Sequence, residues 1–449
     1  MTRALVLAMM FSTAAASAAV PQQEAPPPPP QQQGPQPLTL DDAVRISLQR
    51  NPDLQRQMLL WLSSEQDKVL ARSAILPSFD FNGSWSSTRQ GGGVQIIQNT
   101  PIPQPTRVFQ AWQAGFSIRQ LVFDGGKWWN NMDAANLGYK SNLAQVDEQK
   151  LQITYLVEQR FYELVRAQRQ LAVLTDAATR SRDQADFTQR LFEGGRATQA
   201  DVYAARANRD NDEVIRLGQE RNVELARADL AVAIGVDPAE PLTVAEPPNL
   251  MSDPAQPPRA KEAVAQALEK RPALKAASLT VESNRKLASA AGGDYWPTVS
   301  LNGGYSRSSQ QFGDFFNDPA QNSTLFGTVN LSWNIFAGLS TQANVRKAEI
   351  QTLLSENDLA SARRNVASDV EKAVAQLATS RQQVRVSQQA EQTAKEGLRL
   401  ARTRQEVGVG TQLEVRDAEL KLTQAQLNVV GSLVDGREAE SALRRAQGG

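Results

Sequence analysis

Two kinds of hydrophobic pattern alternate along the chain. Phe79, Phe81, Gly83 and Trp85 fall on one face of an extended segment, and Asp80, Asn82, Ser84 and Ser86 on the other. Trp112, Ala114, Phe116 and Ile118 likewise oppose Gln113, Gly115, Ser117 and Arg119. Val299, Leu301 and Tyr305 oppose Ser300, Asn302 and Ser306, and Val329, Leu331, Trp333 and Ile335 oppose Asn330, Ser332 and Asn334. A period of two marks half-buried strands, expected over about 78–88, 109–123, 298–306 and 325–336. Elsewhere the period is helical. Val146, Ile153, Val157, Leu164, Leu171 and Leu174 form a stripe at spacings of three, four and seven within a proline-free stretch from Gly126 to about Phe192. Val366, Val370, Leu377 and Val384 form its counterpart. Such long amphipathic helices are stable only when packed side by side.

The two patterns occur twice in the same order. Ala43-Val44, Leu48, Pro52 and Leu54 return as Ala263-Val264, Leu268, Pro272 and Leu274, an offset of 220 from position 43 to 263. Pro77 and Asn82-Gly83 return at that offset as Pro297 and Asn302-Gly303. Beyond a loop the offset is 213: Phe123, Gly125 and Val157-Glu158 return as Phe336, Gly338 and Val370-Glu371, and Gly195, Thr198 and Val202 as Gly408, Thr411 and Val415. Each copy reads helix, strand, strand, helix. Residues 38–235 form the first repeat and 259–445 the second, with a linker at 236–258. Asn51-Pro52 and Arg271-Pro272 interrupt each opening helix, because proline disfavours helical geometry in the residue before it. Pro77 and Pro297 end helical character and start a strand. The connecting segments 89–107 and 307–324, rich in Gly, Pro, Gln and Asn, are expected to be loops.

The strand segments have the length a tilted strand needs to cross a bilayer. Aromatic residues on one face and Ser, Asn and Gln on the other suit lipid outside and water inside. A soluble sandwich gives the same alternation. The start of the chain changes the balance. Arg3, the apolar run Ala4–Phe11 and Ala16-Ser17-Ala18 make a signal peptide over 1–19, cleaved near Ala18 or Ala19. A Pro/Gln-rich spacer at 20–37 follows. No later stretch is a run of 18 apolar residues, so a membrane-spanning form has to be a closed barrel. Four strands per chain are too few to close one, so chains must associate.

Composition removes whole classes of chemistry. The chain has no cysteine and no histidine, which excludes Cys nucleophiles, His bases, disulfides, His-ligated zinc and an acylated N-terminal cysteine. Lys plus Arg equals Asp plus Glu, 48 each, and there is no basic block to favour nucleic acid. No motif supports an enzyme, and no cofactor is expected.

The tandem repeat, the prolines between helix and strand, and the turns Leu121–Gly126 and Ser332–Gly338 resemble the TolC-type outer-membrane efflux protein family. So do the hairpin tips Phe192–Val202 and Glu406–Val415. The resemblance covers roughly 38–445. It implies a mainly α fold with a transmembrane β-barrel portion, in which a homotrimer builds a 12-stranded barrel and a long periplasmic α-helical barrel. It implies residence in outer-membrane lipid with a periplasmic extension. It also implies a passive conduit for efflux or type I secretion, coupled to an inner-membrane transporter through a periplasmic adaptor protein. A soluble periplasmic coiled-coil scaffold is the competing reading.

The tips carry the candidate site residues. Gly194-Gly195 and Gly408/Gly410 let the chain reverse, since glycine accepts positive φ. Thr198-x-x-Asp201 and Thr411-x-x-Glu414 read as capping boxes, which explains these four residues without a functional role. Asp417 lies one turn beyond Glu414, too late for capping. The resemblance implies that Glu414 and Asp417, with Asp201 in the first copy, form a channel gate that favours cations; the alternative for Asp417 is a solvated surface acid. It implies adaptor contacts at Gly194, Gly195, Arg196, Val407, Gly408 and Val409. Gly410 stands where some members of that family have an arginine that pairs across the gate.

Overall fold

The computed structural model describes residues 37–97, 100–317 and 322–449. The expected signal peptide and nearly all of the expected spacer lie outside these residues. The first copy runs α1 (Leu40–Arg50), α2 (Pro52–Ser73), β1 (Ser78–Gln90), β2 (Gly93–Ile97), β3 (Thr100–Gln104), β4 (Arg107–Phe123), α3 (Lys127–Glu193) and α4 (Gln199–Ile234). The second runs α5 (Ala260–Lys270), α6 (Pro272–Gly292), β5 (Thr298–Ser309), β6 (Ser323–Ser332), α7 (Ser340–Glu406) and α8 (Gln412–Gln447). Helices α1 and α5 both have 11 residues, α3 and α7 both have 67, and α4 and α8 both have 36. At 1.5 Å rise per residue α3 and α7 are each about 100 Å long.

The break between the first two helices of each copy has a structural purpose. Asn51 accepts hydrogen bonds from Asp53 N and Leu54 N, and its amide donates to Ala233 O at the end of α4 (3.1 Å). The equivalent Arg271 reaches Ala446 O at the end of α8 (3.4 Å) and pairs with buried Glu148 at 3.1 Å. Both copies therefore pin the residue before the proline onto their last helix, one with an amide and one with a guanidinium. Around the first pin lies a core of Ala43, Leu54, Val157, Phe161, Leu230 and Ile234. Around the second lie Ala263, Ala267, Leu274, Val370, Leu377 and Leu443. Val146, Ile153, Val157 and Leu164 of the predicted stripe are buried.

The segment between the copies is irregular and wraps the helices. Leu38 pairs with it through Thr243 O and Ala245 N (2.8 and 2.9 Å). Arg437 on α8 holds it by donating to the carbonyls of Asn249 and Ser252.

The main sheet is antiparallel in the order β1–β4–β5–β6. Its register puts Trp85 opposite Trp112, Phe81 opposite Phe116, Phe116 opposite Tyr305 and Tyr305 opposite Leu325. The predicted apolar positions that fall within the strands thus form one continuous face, much of it bare to solvent: Phe79 is 77% exposed and Leu325 83%. The helices beneath repeat the order. Helix α2 packs on α3, α3 on α6 and α6 on α7. Sheet and helical layer therefore both end on an unpaired first and last element.

Three expectations need correction. The segment 89–107 is not all loop: β1 and β4 extend into it and enclose the hairpin β2–β3, with Val94 opposite Pro103 and Ile96 opposite Pro101. Pro101 and Pro103 within β3 masked the alternation. Similarly, β5 runs on to Ser309 and β6 starts at Ser323. Finally, β6 stops at Ser332 rather than 336, because β5 begins at Thr298, opposite Ser332, and offers nothing further to pair with. In the first copy β4 reaches Phe123 through an irregularity between Leu121 and Phe123 that keeps it against Val299.

Candidate functional site at the helical tips

Both hairpin tips are built by the same backbone device. At the first, the amides of Gly195 and Arg196 donate back to Phe192 O and Leu191 O (2.9 and 2.7 Å), and Gly195 takes φ +73°. At the second, the amides of Val409 and Gly410 both donate to Arg404 O (3.0 and 2.9 Å), and Gly408 takes φ +82°. Gly194 and Gly410 do not have positive φ. Gly410 is needed for closeness instead: a Cβ there would lie 2.9 Å from Arg404 Cβ.

The two predicted capping boxes differ. Thr198 Oγ1 accepts from Asp201 N (3.2 Å), and Asp201 Oδ2 accepts from Thr198 N (2.9 Å), so the first box is complete. The Thr198 hydroxyl also donates to Asp201, and these bonds hold the Asp201 carboxyl below its ordinary value. Asp201 is thus occupied in capping. At the second tip Thr411 Oγ1 accepts from Glu414 N (3.2 Å), but the Glu414 carboxylate turns to Arg404 Nε, 3.5 Å away on α7. Asp417 pairs with Lys421 Nζ at 2.6 Å. Val407, Val409 and Leu413 are 68%, 68% and 77% exposed, an apolar surface on the second tip.

Helix α8 divides its side chains among three directions. Val415 and Leu422 are buried with Leu398 of α7. Arg416, Glu419 and Thr423 reach polar partners: Arg416 grips Asp212 on α4, Glu419 pairs with Arg402, and Thr423 accepts from Arg180 on α3. Glu414, Asp417 and Lys421 line a groove of about 960 Å³ along α7 and α8. The tips are also tied to each other, since the Gln412 amide donates to Asp201 O (3.3 Å).

Sequence reasoning singled out Glu414 and Asp417, which the structure places on one groove, and Asp201, which it places in a cap. It missed Asp212, Arg404 and Lys421. Lys421 was within reach of inspection, four residues after Asp417 on a helix. The partnership of Asp212 and Arg416 had no local signal. Among the described residues no group of three or more Asp and Glu could hold a metal ion, and no helix is long and apolar enough to cross a membrane.

A family model described as outer membrane efflux protein matches residues 43–236 and 263–449, the two copies of the repeat. The outer membrane protein TolC of Vibrio cholerae is 24% identical over 406 residues, covering 87% of each chain. Protein CyaE of Bordetella pertussis is 24% identical over 353 residues, covering 77% of this chain and 70% of its own. Among solved structures, a membrane protein from Pseudomonas aeruginosa superposes with a TM-score of 0.79 at 21% identity, over 91% of this chain and 92% of its own. VceC, an outer membrane protein of Vibrio cholerae, gives 0.75 at 19% identity, over 91% and 96%.

Proposed function

The chain belongs to the outer membrane efflux protein family, and from that premise we propose that three copies close into one passive conduit from the periplasm to the exterior. The family is one of outer-membrane channels, not enzymes and not soluble scaffolds. The observation that carries the closure is the shared order of the two layers. The sheet ends on β1 and β6, and the upper helical layer ends on α2 and α7. Both outermost helices carry exposed apolar side chains, Leu59, Val69 and Leu70 on α2 and Leu353 and Leu354 on α7. A heterologous contact that joins last element to first in both layers generates a ring. Twelve strands then bound a barrel with the aromatic face towards lipid and the Ser/Asn/Gln face towards water.

Within this conduit the helical tips are the periplasmic entrance. Glu414 and Asp417 form its gate and attract cations, while Asp201 acts through its cap and through Gln412. The turns Gly194-Gly195-Arg196 and Val407-Gly408-Val409 receive a periplasmic adaptor, which links the conduit to an inner-membrane transporter that supplies the energy. The exposed Val407, Val409 and Leu413 support such docking. The test is electrical. Purified protein in a planar bilayer forms discrete channels, and Glu414→Ala with Asp417→Ala changes both conductance and cation preference. Unchanged conductance and selectivity in the double variant would remove these residues from the gate.

A further inference from the structure

Resting on the reading of Glu414 and Asp417 as entrance acids, we propose that Lys421 is a selectivity-determining residue that tempers the cation preference of the entrance. Glu414, Asp417 and Lys421 stand at i, i+3 and i+7 on α8, the spacing of one helix face, and all three line the groove along α7 and α8. Each acid has its own cation. Lys421 Nζ lies 2.6 Å from Asp417 Oδ2, and Arg404 Nε lies 3.5 Å from Glu414 Oε2. Two acids and two bases leave these four side chains with no net charge in each copy. A ring built from three copies is then not a plain ring of carboxylates. It is a ring of ion pairs.

The two cations come from different elements, Arg404 from the last turn of α7 and Lys421 from α8 itself. The backbone of Arg404 is fixed, because its carbonyl accepts the amides of both Val409 and Gly410 and because Gly410 has no Cβ to push it away. The turn thus brings Arg404 beside Glu414, with both side chains still exposed, at 58% and 45%. Lys421 lies within α8, and only its side chain reaches Asp417. Its side chain and that of Asp417 are 70% and 57% exposed, and exposed pairs of this kind are weak. Lysine is a point charge on a flexible stem, so its neutralisation of Asp417 is loose and is felt by permeating ions as a local balance of charge. Removing it uncovers Asp417.

Bilayer recordings of the full-length channel in a KCl gradient test this, with the reversal potential giving the K⁺/Cl⁻ permeability ratio. Lys421→Gln removes three positive charges from an assembled ring and is expected to raise the ratio about threefold, an effect that shrinks at high salt. Asp417→Asn is expected to lower it by a similar factor. Oligomer formation on a gel verifies that both variants assemble, as their exposure leads one to expect. If Asp417→Asn lowers the ratio while Lys421→Gln leaves it unchanged or lowers it, Lys421 does not temper the entrance, and the proposal fails with the gate intact. If neither substitution moves the ratio, the gate reading itself fails and takes the proposal with it.

Discussion

Arg416 on α8 grips both carboxylate oxygens of Asp212 on α4, with Nη1–Oδ2 at 2.6 Å and Nη2–Oδ1 at 2.8 Å. The side chains are 15% and 9% exposed, and the Ser181 hydroxyl donates to the same Oδ2 at 2.6 Å. The contact joins the two helical hairpins of one chain. Truncating one partner strands a buried charge, so Arg416→Ala is expected to cost about 3 kcal/mol. Replacing both, Asp212→Leu with Arg416→Met, removes the stranded charge and should recover more than half of that loss. Thermal unfolding of the detergent-solubilised protein, followed by circular dichroism, checks both; additive losses in the double variant would show that the charges are not coupled.

The same pair sets a pH window. Burial opposes ionisation of Asp212, but the hydrogen bonds from Arg416 and Ser181 outweigh it and hold the carboxyl below its ordinary value. A carboxyl depressed in the folded state stabilises above its unfolded pKa of about 4 and loses that stabilisation as pH falls through the folded value. The stabilisation Asp212 brings to the wild-type fold should therefore hold at neutral pH and be lost as pH falls below about 4, whereas in Arg416→Ala the buried carboxyl, left without its partner, takes up a proton at higher pH. The gap in melting temperature between the wild-type protein and Arg416→Ala should therefore be widest at neutral pH, begin to narrow above about pH 4 and be smallest below it.

Asp201 and Glu414 look equivalent in sequence and differ in what their carboxylates touch. Asp201 completes a box with Thr198, whereas Glu414 leaves Thr411 for Arg404. Thr198→Ala should therefore speed amide exchange in the first turn of α4 by roughly fivefold, the scale of one lost cap. Glu414→Ala, which removes any side-chain acceptor, should leave exchange in the first turn of α8 nearly unchanged, because the backbone amide at 414 still donates to Thr411. Equal acceleration at both tips would show that the second box forms in solution.

The repeat made most of the fold legible, since equal offsets gave equal helices. The pattern also located the sheet face, because its alternation survives in each of the four strands. What the sequence hid are relations across distance. No local rule joins Asp212 to Arg416, 204 positions apart, or shows that Asn51 and Arg271 pin their copies by different chemistry. Strand ends were misjudged where pairing, not propensity, decides them: nothing in Trp333–Phe336 is unsuited to a strand, but β5 starts too late to receive it. Edge prolines concealed β2–β3 for the converse reason.

One position breaks the symmetry at a cost. Gly126 precedes α3 with φ +81°, and its equivalent before α7 is Leu339, at φ +70°. A left-handed residue with a side chain costs about 1–2 kcal/mol, and glycine gives back about 0.5–1 kcal/mol of that through its freedom when unfolded. Leu339 is 62% exposed in the single chain, so little packing is lost on truncation. Leu339→Gly should stabilise the chain by about 0.5–1 kcal/mol. A melting temperature that falls instead would show that Leu339 is held by a contact with lipid or with a neighbouring copy.

The absence of native cysteine makes ring closure testable by disulfides. In one chain β1 and β6 are separated by β4 and β5, three strand spacings or about 14 Å, well beyond the roughly 7 Å limit between disulfide-bonded Cα atoms. Phe79→Cys combined in turn with Leu325→Cys, Val329→Cys or Leu331→Cys therefore cannot bond within a chain that keeps its sheet. If β6 of one copy lies beside β1 of the next, the pair in register bonds between chains, and oxidation yields covalent trimers on a denaturing gel. Phe79→Cys with Ser306→Cys, on the buried-in-the-sheet strand β5 and on its opposite face, is the negative control. Trimers from one β6 position, and none from the control, establish both the closure and its register. Oxidised dimers that never progress to trimers would mean a two-fold contact, in which both copies use the same edge, and would exclude a ring joined last strand to first.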